Sequence, residues 1–186
     1  MDIDDPTPLI ARRLRDERAR RGWTLDDVAQ RAGVSKAMLS KLERCEASPT
    51  AALLGRISGA LGMTLSTLLA ADDAPGARLV RRAEQPTWRD PDTGYLRRQV
   101  SPLSDLPMQL IEVEFPPGAQ VAYPAAAFAF IRQAIWVIAG TLDFAEGVHL
   151  HQLRPGDCLE LGAAADCVFA NRGRTPCRYL VAVVKR

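Results

Sequence analysis

The chain has 186 residues, room for one domain or two small ones, and its 47% hydrophobic and 25% charged content excludes wholesale disorder. No apolar run approaches the ~20 residues that span a bilayer, and the acidic opening Met1–Asp5 lacks an apolar core, so neither a membrane protein nor a signal peptide is expected. The net charge of +2 conceals a local excess, ten Lys/Arg against five Asp/Glu between Arg12 and Arg44, which suits a polyanion although arginine abundance alone explains part of it.

Ahead of residue 72, apolar residues recur at helical spacing, and end signals bracket five helices. The first runs from about Pro8 to Arg21 and stops at Gly22. Thr24 caps the second, its hydroxyl set to accept from the Asp27 backbone N–H, and Gly33 ends it in a left-handed turn. Ser35 caps a third, Lys36 to Glu43. A fourth follows Pro49-Thr50 and ends at Gly62, and a short fifth follows Thr64. Gly55 and Gly59 weaken the fourth by about 1 kcal/mol each, a loss that packing must offset. Between the second and third helices, Ala29 permits close approach, Gly33 turns the chain and Val34 plugs the core. The third helix turns Leu39 and Leu42 inward and leaves Lys36, Ala37, Ser40 and Lys41 on its outer face, the face offered to a major groove.

The run Arg18…Gly22-Trp-Thr-Leu-Asp-Asp-Val-Ala29…Ala32-Gly-Val-Ser…Leu39-Ser-Lys-Leu-Glu-Arg44…Ser48-Pro-Thr50…Ala60-Leu-Gly62 resembles the phage-repressor-like (Cro/C1-type) helix-turn-helix family. The resemblance implies that Lys36, Ala37 and Lys41, with Ser35 and Ser40 beside them, meet base edges. It also implies that Thr24, Leu25, Arg44 and Ser48 lie near phosphates, where contacts fix register. Arg18 and Glu43 stand where the family has a partly buried ion pair. Cys45 departs from the family's Gly or Asn after the Glu-Arg pair, at a position that tends to take φ > 0.

Ala71–Gly76 is polar and rich in breakers, and short β-rich runs follow it: Leu110–Phe115, Ile135–Ile138 and Tyr179–Val184. Turn pairs Pro117-Gly118, Ala139-Gly140 and Pro155-Gly156 separate them. The expected organisation is multidomain α + β: a helix-turn-helix domain over 8–70, a linker over 71–77, and an all-β domain over 78–186.

Phe115-Pro-Pro-Gly118, Gln133-Ala-Ile-Trp-Val-Ile-Ala-Gly140 and Leu153-x-Pro-Gly-Asp157 followed by Cys167-x-x-x-Asn171 make this second domain similar to the cupin (double-stranded β-helix) barrel. The metal-binding positions implied by that resemblance fall on Pro124, Ala126, Gln133 and Cys167. Proline and alanine offer no donor, and a lone thiol makes no first-row metal site, so no metal, no cofactor and no enzyme are expected. His149 and His151 sit before Pro155-Gly156, away from those positions, and read as surface or edge-strand histidines. No nucleophile elbow and no Walker loop is present. The four cysteines form no C-x-x-C pair and read as reduced thiols of a cytoplasmic protein.

The expected ligand pocket of this barrel is lined by Tyr123, Phe128, Phe130, Ile135, Val137 and Phe169, with Arg132, Gln133 and Cys167 to orient a ligand. The chain thus reads as a regulator that binds an operator in double-stranded DNA, pairs as a homodimer through its barrels, and answers to a small-molecule effector. A DNA-tethered cupin enzyme and an antitoxin-like repressor whose barrel binds a protein remain alternatives.

Overall fold

The computed structural model describes residues 6–69, 78–102, 104 and 106–185. The linker expected over 71–77 lies outside the described residues. Five helices come first: α1 (Thr7–Arg20), α2 (Leu25–Ala32), α3 (Lys36–Glu43), α4 (Ala51–Ala60) and α5 (Leu65–Leu69). Their ends obey local chemistry. Thr24 and Asp27 form a reciprocal capping box, while Ser35 and Thr50 accept from the Met38 and Leu53 amides. Gly22, Gly33 and Gly62 take the left-handed turns beyond three helix ends, with φ of 65°, 63° and 61°. Ile10, Leu14, Val28, Leu39, Leu42, Leu54 and Ile57 meet in the core of this head.

Ten antiparallel strands follow: β1 (Thr87–Arg89), β2 (Leu96–Gln99), β3 (Met108–Phe115), β4 (Gln120–Tyr123), β5 (Ile131–Ala139), β6 (Leu142–Glu146), β7 (His149–Leu153), β8 (Cys158–Glu160), β9 (Cys167–Ala170) and β10 (Cys177–Lys185). One sheet has the order β1-β2-β3-β10-β5-β8 and the other β4-β9-β6-β7. With β1 and β2 set aside, eight strands divide four and four in the jelly-roll order of a cupin barrel, β1 and β2 extending one sheet. The three β-rich runs most evident in the sequence become neighbours, since β10 pairs with β3 on one side and β5 on the other. Ile111, Val113, Phe115, Ile135, Val137, Tyr179 and Val181 point from this sheet into the barrel and are buried.

Head and barrel are packed together. α4 lies against β4 and a 3-10 turn, Ala125–Phe128. A Cβ on Gly55 would overlap the Tyr123 ring, and one on Gly59 would sit 2.8–2.9 Å from the backbone of Ala126 and Ala127. The two glycines that weaken α4 as a helix are the ones that let it meet the barrel. The barrel also caps this helix: the buried Asp90 carboxylate accepts from the Ala51 amide at 2.8 Å and from the Thr93 amide at 3.0 Å.

Candidate nucleic-acid interface and interdomain cavity

α3 is anchored from behind. Glu43 is buried, and both its carboxylate oxygens accept from Arg18 of α1, at 2.7 Å from Nε and 2.9 Å from Nη2. This is the pair expected from the sequence. The guanidinium also donates to the Trp23 carbonyl at 3.1 Å, and hydrogen bonding to Glu43 raises its already high pKa. Arg15 donates to the Glu43 carbonyl at 2.7 Å, closing the C-terminal end of α3 onto α1.

On the opposite side, Lys36, Ala37 and Lys41 are exposed and Ser40 is half-buried, one polar face of a single helix. Lys36 Nζ reaches Asp26 at 2.6 Å, and Arg44 forms a forked pair with Glu46 at 2.6 and 2.8 Å while touching Ser40. These exposed pairs are worth little in water. The Thr24 and Ser35 hydroxyls are engaged in capping, accepting from the Asp27 and Met38 amides. The Leu25 side chain packs on the core, leaving its amide for any phosphate contact, and Ser48 is exposed. Arg31 lies 4.3 Å from the Trp23 ring centroid and Arg21 5.4 Å, a guanidinium–indole cluster the sequence reading did not single out.

Between head and barrel lies a cavity of about 70 Å³. Of the residues named for the ligand pocket, Tyr123, Phe128, Gln133 and Phe169 line it. The other expected lining residues are elsewhere, for a reason of strand alternation. Along β5, Gln133 faces the cavity, whereas Arg132 is exposed on the outer face and borders a separate recess of about 10 Å³ together with Cys167. Ile135 and Val137 face inward but are fully buried, filling the core. Phe130 precedes β5, is 54% exposed, and stands beside Gly62 of the head.

Several cavity residues escaped the sequence reading. Tyr95, Arg97, Phe115 and Tyr179 line it from the barrel, and Gly55, Ser58, Thr64 and Ser66 line it from the head. The Tyr95 and Tyr123 hydroxyls share a hydrogen bond of 2.9 Å. Burial pushes Tyr95 up to about 12 and holds Tyr123 and Tyr179 well above the ordinary phenol value, so all three are neutral hydroxyls at neutral pH.

The cupin metal positions do not fit a metal. Pro124 and Ala126 occupy the entry and body of the 3-10 turn, and their side chains carry no donor atom. Burial pushes the Cys167 thiol up to about 12, and it donates to the Ala165 carbonyl at 3.4 Å. Among the described residues, no three His, Cys, Asp or Glu side chains come together. His149 and His151 lie on β7, an edge strand, with His151 stacked on Phe144.

Residues 14–68 match the family model described as helix-turn-helix. Over 61 residues the chain is 43% identical to the HTH-type transcriptional regulator SutR of Escherichia coli (strain K12), a match covering 33% of this chain and 34% of that protein. Over 62 residues it is 34% identical to the HTH-type transcriptional regulator SinR of Bacillus subtilis (strain 168), covering 33% of this chain and 56% of that one. The matches therefore span about a third to a half of these relatives. Among solved structures, an HTH_3 family transcriptional regulator from Vibrio cholerae superposes with a TM-score of 0.80 at 26% identity, covering 100% of this chain and 99% of that one. That likeness runs through head and barrel together. Residues 14–68 thus carry a helix-turn-helix domain similar to those of the regulators SutR and SinR.

Proposed function

We propose that the chain is a sequence-specific DNA-binding transcriptional regulator of the cytoplasm whose metal-free cupin barrel takes a small molecule. The observation that carries the DNA reading is the exposed face of α3, with Lys36, Ala37 and Lys41 outward while Arg18–Glu43 fixes the helix behind. No described helix is long and apolar enough to cross a membrane. Against the DNA-tethered enzyme stands the lack of donor atoms at Pro124 and Ala126. A regulator that binds a protein through its barrel is less well supported, because the cavity is a recess between head and barrel, lined by both, rather than a flat face.

One such unit reads few base pairs, so useful specificity calls for two heads on a two-fold site, about 34–36 Å apart. The outer face of the six-stranded sheet supports a homodimer through the barrels. There Met108 pairs with Val184, Leu110 with Ala182, and Leu180 with Trp136, and Met108, Val184 and Trp136 are 37%, 40% and 48% exposed. Trp136→Arg should shift the full chain from dimer to monomer in analytical ultracentrifugation; an unchanged sedimentation coefficient assigns the contact elsewhere.

The DNA reading is tested by selecting operators from a random duplex library with the full chain. Lys36→Ala should cost on the order of 1–3 kcal/mol on the selected site and relax preference at one base position, whereas Arg44→Ala should weaken all sequences alike. Failure to enrich any sequence, or equal loss on selected and random DNA for Lys36→Ala, refutes base reading by α3.

A further inference from the structure

We propose that the cavity between head and barrel binds a small organic anion, a monocarboxylate with a short aliphatic or single-ring body, its carboxylate held by Arg97 and its presence read directly by α4 and α5. This deepens the sensor reading above and rests on it.

Strand alternation turns the two arginines of β2 to opposite faces. Leu96 and Arg98 pair with Glu114 and Glu112, while Arg97 and Gln99 pair with Val113 and Ile111. Residues paired across a sheet share a face, so Arg98 is turned outward and Arg97 inward, beside the buried Val113. The two arginines fare differently. Arg98 meets Glu112 at 3.6 Å. Arg97 has no carboxylate within ion-pair distance among the described residues, and its side chain donates only to the Ser66 hydroxyl of α5. Among the described residues it is the one charged residue lining the cavity.

Two further polar groups line the same space without partners. Tyr179 is 3% exposed, and its hydroxyl makes no hydrogen bond among the described residues. The Gln133 side-chain amide, across the barrel on β5, makes none either. The three groups share the capacity to donate: a guanidinium, a neutral phenol and an amide NH2. Donors left open around a largely apolar cavity call for a ligand rich in acceptors, and the unpaired positive charge calls for an anion. A guanidinium receives a carboxylate through two parallel hydrogen bonds. The rest of the lining, Val113, Phe128, Phe169 and Val181 among it, suits a compact hydrocarbon body. A volume of about 70 Å³ exceeds the ~10–15 Å³ needed for one water and limits the ligand to a small molecule.

Arg97 also borders a recess of about 20 Å³ lined by Ser66, Leu69, Trp88 and Gln99, so it stands between the cavity and the surface seam of the two domains. Ser58, Thr64 and Ser66 of the head form part of the cavity wall itself. A carboxylate on Arg97 thus shares its guanidinium with Ser66 and bridges barrel to head, tightening their contact. A ligand alters DNA binding only through such a difference between states.

The test uses the full chain and four probes, benzoate and hexanoate against the neutral benzamide and hexanamide. Both acids should raise Tm in a saturable way, and the amides should not. Arg97→Gln should lose on the order of tenfold or more in acid affinity, the scale of a charge-assisted hydrogen bond, and Tyr179→Phe severalfold. If Arg97→Gln does not fold, Tyr179→Phe and Arg97→Lys decide on the same titration. Hydrogen exchange of amides 51–60 and 65–69 should slow in saturating benzoate. Acids and amides that act alike, an Arg97→Gln protein that keeps the full response, or no response to either acid in a chain that still selects its operator all overturn the anion site. A response to the amides alone overturns it too, while leaving a small-molecule sensor in place. Unchanged exchange in α4 and α5 overturns the direct reading by the head. A chain that binds the acids but selects no DNA sinks the regulator and leaves the anion site standing.

Discussion

α3 and α4 belong to one small head and are eight and ten residues long, yet they serve opposite partners. α3 keeps a polar, exposed outer face and is tied down from behind by charge. α4 carries Gly55 and Gly59, presses a bare backbone on the barrel, and borrows a cap from Asp90. Between them, Leu39 and Leu42 of α3 share a core with Leu54 and Ile57 of α4. A head of this kind has two working surfaces joined by a packed core, and packed cores transmit small displacements. The barrel is therefore a wall of the head, and the cavity lies where the two meet.

The largest expected effect concerns what holds α3 from behind. Glu43→Gln removes a buried carboxylate that receives two hydrogen bonds from Arg18 and leaves the guanidinium without its counter-charge. Breaking a buried pair costs about 3–5 kcal/mol, and with the Arg18 side chain 20% exposed the lower end applies. Denaturant unfolding of the full chain checks this. A loss below about 1 kcal/mol, the scale of an exposed pair, would mean that α3 is held by apolar packing alone.

A sign rather than a size tests the other helix. Gly→Ala inside an ordinary helix stabilises by about 1 kcal/mol. At Gly59 the added methyl meets the Ala126 and Ala127 backbone, and overpacking of that kind costs about 1–3 kcal/mol, so Gly59→Ala should destabilise the full chain by about 1 kcal/mol net. A rise in stability would show that α4 does not rest on the barrel in solution, and the contrast between the two helices would fall.

The same contrast explains what was legible in the sequence. The helices of the head were readable because caps and stops act over three or four residues: Thr24 with Asp27, Ser35 with Met38, Gly33 after Ala32. The strands β3, β5 and β10 were readable as β-branched runs. β1 and β2 were not, because Thr87–Arg89 and Leu96–Gln99 are only three and four residues long, and the inward Arg97 looks like surface arginine in an arginine-rich chain. Arg97 touches Ser66 from 31 residues away, and Asp90 caps Ala51 from 39. No periodicity announces such contacts. The glycines of α4 were the available signal, two helix-weakening residues four apart on one face, and they pointed to close packing without naming what packs there. Phe130, Ile135 and Val137 were misassigned because aromatic and β-branched residues near a barrel mouth have one composition whether they fill the core, face the cavity or turn outward.

The smallest effect lies where α3 ends. Cys45 is the one non-glycine residue with positive φ among those described, at 59°. Its amide donates to the Leu42 carbonyl at 3.0 Å, and the Glu46 amide donates to Lys41 at 2.8 Å, the paired bonds of a Schellman turn. Any side chain in that conformation costs about 1–2 kcal/mol, and glycine escapes the cost while giving back about 0.5–1 kcal/mol in chain entropy. Cys45→Gly should therefore stabilise the full chain by about 0.5–1 kcal/mol, and Cys45→Ala, which keeps a Cβ, should change little. Neither should alter operator affinity, because the thiol is absent from the polar face of α3 and the turn bonds survive both changes. Melting curves of the two variants decide the conformational part. A Cys45→Ala protein that binds its operator much more weakly than the parent under reducing conditions would instead give the thiol a place at the DNA, and α3 would then end in a contact rather than a cap.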